Sequence, residues 1–121
     1  MINNILCASM LTFVATASTF NVADAYTDYD GTWNLFVETQ SGDCQPTYQF
    51  QVQIIDGFVR HQGSASVQGR VSPNGAVNVS VSTETQRASG SGKLTRGSGR
   101  GHWLGRSSTQ RCSGSWIAQR Y

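Results

Sequence analysis

Beyond residue 25 the chain alternates. Across Thr47–Ile55, Tyr48, Phe50, Val52 and Ile54 fall on one side and Gln49, Gln51 and Gln53 on the other. Successive side chains of an extended strand point to opposite faces, so a period of two buries one face and wets the other. The same period places Trp33, Leu35 and Val37 together over residues 32–38, and sets Val77, Val79 and Val81 against Asn78, Ser80 and Ser82. No stretch after residue 25 sustains the 3.6-residue period of an amphipathic helix, which restricts the chain to an all-β fold. Glycine and serine are abundant, a composition that alone would suggest disorder. The alternation argues against it.

The connections carry turn chemistry. Asp56-Gly57 supplies residues that tolerate positive φ and leads into a run over 58–63. A fourth run, 65–71, ends at Ser72-Pro73-Asn74-Gly75, where proline presets one dihedral and Asn-Gly accepts left-handed ones. A sixth run puts Ala88, Gly90, Gly92 and Leu94 on one face, and a turn over 95–98 follows. A seventh run places Gly99, Gly101, Trp103 and Gly105 inward, and an eighth Cys112, Gly114, Trp116 and Ala118. Inward glycine marks a place where something bulky approaches the backbone, and Trp33, Trp103 and Trp116 are the bulky groups at hand. About eight strands joined by short turns predict an antiparallel up-and-down meander that closes into a small barrel. Such an interior holds side chains or one small ligand.

Residues 1–25 read as a secretory signal peptide: a short apolar run over 5–14 is followed by small residues. Cleavage after Ala25 leaves a shorter lead-in to the first strand than cleavage after Ala17 and is preferred. The n-region carries no Lys or Arg, a departure from the usual signal. The apolar run is well short of the ~20 residues that span a bilayer, and Cys7 precedes most of that run, where a lipidated cysteine would follow it. The expectation is an exported chain, periplasmic or secreted, with residues 26–121 forming a single monomeric domain and no transmembrane segment. Two cysteines remain, Cys44 and Cys112, and an even count in an oxidising compartment reads as one disulfide. Both fall at one rim if the strand total is even and the first and last strands lie side by side. Closing so long a loop stabilises a small domain by about 4 kcal/mol in the chain-entropy model.

Four segments taken together, Asp30-Gly31-Thr32-Trp33, Val71-Ser72-Pro73-Asn74-Gly75-Ala76-Val77, Gly99-x-Gly101-x-Trp103 and Cys112-Ser113-Gly114-x-Trp116, resemble a group of small exported bacterial β-proteins of uncharacterised function. The resemblance covers essentially all of residues 26–121. In architecture the expected barrel is similar to calycin-type binders and to Inh-type protease inhibitors. That similarity implies a fold and assigns no ligand-contacting or inhibitory residue.

The polar residues offer little chemistry. Gly90-Ser91-Gly92-Lys93 hints at a phosphate loop, but Leu94 stands where Ser or Thr is needed and no helix follows. The Arg-Gly alternation through Trp103 keeps a strand period, unlike a disordered nucleic-acid-binding segment, so no nucleic acid is expected. No pair of carboxylates has a spacing that demands acid and base roles, and the only side chains able to activate a serine are His61 and His102. His102 falls on an outward face. His61 faces in or out according to the register of 58–63, which alternates poorly. No C-x-x-C-H haem attachment signal exists. The expectation is no catalytic residue, no metal and no cofactor.

Two sets of residues remain as candidates. Trp33, Tyr48, Trp103, Trp116 and His61 would line an interior that takes a small ligand or engages an exported protein partner. Charge is lopsided: residues 26–59 hold five acids and no Lys or Arg, whereas 60–121 hold nine bases and only Glu84. Alternation places Arg70, Arg87, Lys93, Arg100 and Arg106 on the outer wall, a basic face for an anionic surface. The reading is therefore a non-enzymatic binding or inhibitor-like module. The alternative is a surface adaptor for polysaccharide or acidic lipid head groups, with a haem-associated protein or a hydrolase further behind.

Overall fold

A computed structural model describes residues 28–121. The expected signal peptide over 1–25, with the two expected cleavage sites and Cys7, lies outside the described residues. The strands are β1 (Gly31–Ser41), β2 (Thr47–Ile55), β3 (Phe58–Arg60), β4 (Ser66–Val71), β5 (Ala76–Ser82), β6 (Gln86–Leu94), β7 (Ser98–Ser107) and β8 (Arg111–Arg120). Each pairs antiparallel with the next, and β8 returns to β1, so the sheet closes into a barrel in chain order. Closure satisfies the backbone groups an open sheet would leave at its edges.

The alternation fixes which side chains enter. Trp33, Val52, Ile54, Val71, Val77 and Leu94 are buried, while Gln51, Gln53, Asn78, Ser80 and Arg100 lie exposed between them. The outer wall is mainly Ser, Gln, Asn and Arg, with two apolar pairs, Phe36 opposite Ile117 and Ile55 opposite Phe58, and Leu104 apart from them. A barrel in lipid shows the reverse, an apolar band outside and polar groups within. Among the described residues no helix is long and apolar enough to cross a membrane.

Two local expectations are sharpened. Asp56 and Gly57 have φ of 53° and 79°, the paired positive dihedrals of a two-residue hairpin whose twist matches its strands. The run over 58–63, by contrast, yields only the three residues of β3. Beyond Arg60 the chain offers His61, Gln62, Gly63 and Ser64, none of which gains by entering an apolar interior, and pairing stops. Within β3 the register is settled: Val59 is buried and Phe58 and Arg60 face out.

The tryptophans account for three of the inward glycines. A Cβ at Gly92 or Gly101 would stand 2.6 Å from the Trp116 ring, and one at Gly105 would stand 3.0 Å from that of Trp103. Only glycine leaves β6, β7 and the indoles at their observed separation.

One end of the barrel is sealed. Residues 28–30 lie across it, with Tyr29 packed on Trp33, Val71 and Leu94 in the buried cluster. The Asp30 carboxylate accepts the backbone N–H groups of Asp56 at 2.8 Å and Gly57 at 3.1 Å. Arg120 donates to the carbonyls of Asp28 and Arg96, each at 2.9 Å, and to that of Asp30, while its guanidinium lies 5.7 Å from the Trp33 ring centroid. A planar cation with several donors can tie several carbonyls at once and still stack on an indole.

Candidate functional site

Above the sealed base the interior is not filled. A cavity of about 440 Å³ runs from Trp33, Ile54 and Leu94 up to the opposite rim, within the range of small-molecule pockets. Its wall is apolar: Leu35, Val37, Val52, Val67, Val79 and Ala118 contribute aliphatic surface, and Trp103 and Trp116 the broadest faces. Near the rim β6 and β7 point Ala88 and Gly105 inward, small residues that leave the barrel open above the level of Gly90 and its partner Trp103. Phe50 is inward-facing yet 37 % exposed because the mouth above it is open.

The five interior candidates, Trp33, Tyr48, Trp103, Trp116 and His61, all line this cavity. Their polar atoms are largely committed to backbone. Trp33 Nε1 donates to the Tyr29 carbonyl at 2.8 Å, Trp103 Nε1 to Glu38 at 3.0 Å and Trp116 Nε1 to His102 at 3.2 Å. Tyr48 Oη accepts the N–H of Gln45 at 3.2 Å. An indole whose N–H is satisfied presents only its apolar face, so the wall is a surface for packing.

His61 is half-buried at the mouth, its Nδ1 2.9 Å from the Gln51 carbonyl and its ring edge-on to Phe50 with centroids 5.8 Å apart. A carbonyl only accepts, so Nδ1 carries a proton and donates it. The bond fixes the ring. His102 is exposed on the outer wall, on the other side of the sheet from the cavity. Among the described residues no group of three or more His, Cys, Asp or Glu side chains is placed to hold a metal ion.

Cys44 and Cys112 are joined, with Cα atoms 6.2 Å apart, and Cys44 borders the mouth. The disulfide ties the β1–β2 loop to the start of β8 and holds this part of the rim.

The outer cations are distributed along the wall of β4, β6 and β7. Arg70, Arg87, Lys93, Arg100 and Arg106 are all exposed, but the register sorts them. Lys93 stands opposite Arg100 toward the base, and Arg87 opposite Arg106 at the mouth. Six residues of β6 separate these pairs, roughly 20 Å. Arg70 stacks over Phe58, 5.1 Å from its centroid, with Arg60 at 5.7 Å on the same ring. The expected basic face is thus an outer wall on which the two β6–β7 pairs stand at opposite ends.

Alternation missed Arg111. It stands directly opposite Arg106, extending the mouth pair to three arginines in a row across β6, β7 and β8. Its position one residue before inward Cys112 was the available signal. Also missed were Tyr29, Asp30 and Arg120, whose bonds at the base run to backbone atoms and leave no periodic trace.

No protein-family model, curated protein or solved structure matches this chain.

Proposed function

We propose that the protein is a non-enzymatic, exported binding module that holds one small, largely apolar molecule inside its barrel. The observation that carries this reading is the shape of the interior: a base sealed by Trp33, Leu94 and Arg120, and above it an apolar cavity of about 440 Å³ open at one rim. A small domain that merely needed a core would gain by filling that space, since removing apolar surface from water stabilises by about 25 cal/mol per Å². Keeping it open withholds that gain, and the gain returns when a ligand enters. The disulfide at the rim supports the reading, because a cup whose mouth is pinned loses less entropy on binding.

Tryptophan fluorescence tests it. Trp33, Trp103 and Trp116 are the chain's three tryptophans and all border the cavity. Titration with a panel of apolar small molecules should shift the emission saturably, and Val79→Phe, which fills the cavity from β5, should abolish the shift without unfolding the barrel. Retention on heparin with no response to any apolar molecule would instead support the surface-adaptor reading.

A further inference from the structure

The three arginines at the mouth are unusual neighbours. Arg87 and Arg106 are directly opposed across β6 and β7, and Arg106 and Arg111 across β7 and β8. Directly opposed residues lie close enough for like charges to repel. The remaining partner in this row is Ser82 on β5, so no carboxylate occupies an opposed position. The rim's acids, Asp43 and Glu84, belong to the loops, in the β1–β2 and β5–β6 connections. Arg87 and Arg106 both border the cavity mouth, together with Gln86, Ser107 and Gln110. Alternation points the arginine stems outward, away from the apolar wall, and their length lets the guanidinium groups reach over a rim.

We infer that the ligand is an anionic amphiphile: an apolar body enters the cup, and a carboxylate, sulfate or phosphate head remains at the rim against Arg87 and Arg106, with Arg111 adding to the field. The claim rests on the binding reading above and names its ligand class. Guanidinium groups recognise planar or tetrahedral oxyanions through paired donors, and an anion between opposed cations relieves their repulsion. Cup and head group divide the work, since the indoles offer no free polar atom for a head group buried deeper.

Three alkyl probes matched in length test this: dodecanoate and dodecyltrimethylammonium below their micelle concentrations and dodecanol below its solubility limit, followed by tryptophan fluorescence and calorimetry. Dodecanoate should bind at least about tenfold more tightly than dodecanol, the equivalent of one hydrogen bond to a charged group, and the cation most weakly. R87Q/R106Q should bring the ratio of dodecanoate to dodecanol affinity down toward one; circular dichroism checks that the variant folds. Equal affinity for dodecanoate and dodecanol overturns this inference and leaves the cup intact. Failure of all three to bind overturns the cup itself. Vesicles of phosphatidylglycerol form a last arm. Retention on them that survives Val79→Phe would assign the arginines to a lipid surface and likewise overturn the inference.

Discussion

At the base of the barrel Trp33 is 1 % exposed and Leu94 5 %, whereas Phe50, inward-facing on the same sheet near the mouth, is 37 % exposed. The ends also differ in how the chain turns. The base uses tight connections, Asp56-Gly57, 72–75 and 95–97, braced by Asp30 and Arg120. The mouth carries the longer loops over 42–46 and 61–65, with the disulfide holding the first of them. One closed sheet thus separates two tasks. Cohesion is concentrated where the interior is full, which frees the other end to expose apolar surface that a uniformly packed barrel would hide.

The sharpest way to break this contrast is at the disulfide. C44S/C112S should lower stability by about 4 kcal/mol, read by urea denaturation. Binding by the folded fraction should weaken as well, because the lost restraint lies at the mouth. A smaller effect is expected from truncation within the interior: Leu94→Ala at the base should cost about 3 kcal/mol, while Phe50→Ala at the mouth should cost less, about 1.5 kcal/mol, since more than a third of its surface stays in water. Equal losses would mean that the two ends are packed alike. Next comes the glycine contrast. Gly101→Ala puts a Cβ 2.0 Å from the Ser91 carbonyl oxygen and 2.6 Å from the Trp116 ring, and should destabilise by about 2 kcal/mol. Gly97→Ala meets nothing within 4 Å and should leave the melting temperature almost unchanged. The smallest effect belongs to the rim. Arg106→Gln removes repulsion from two opposed neighbours and should raise the melting temperature by about 2 °C at low salt. The increment should vanish in high salt.

Much of this barrel can be read from the period of two. That period predicts β2 to its boundaries and sorts Val77 and Asn78 to opposite sides of β5. It also pairs Gly92, Gly101 and Gly105 with indoles, whereas inward Gly99 makes room for Leu94. Strand period and turn chemistry are local, and local signals survive in a one-dimensional string. What escaped depends on distance in space. The open volume follows from how strands of given tilt close around side chains of given size, which no single strand encodes. The row of rim arginines required the register between β7 and β8, which alone sets Arg111 opposite Arg106. Arg120 gave no hint of its role because its partners are the carbonyls of Asp28, Asp30 and Arg96, groups that every residue carries.

The base strap has a practical corollary. Because Arg120 grips the Asp28 carbonyl and Tyr121 donates to Thr32 at 2.8 Å, both ends of the described chain meet beneath the floor, facing away from the opening. A tether or fluorescent fusion placed there would leave the entrance unobstructed, and a short linker between those ends would permit new termini to be cut into the β5–β6 loop. Such a permutant would convert the entrance itself into a hinge, and its opening could be driven by engineering alone.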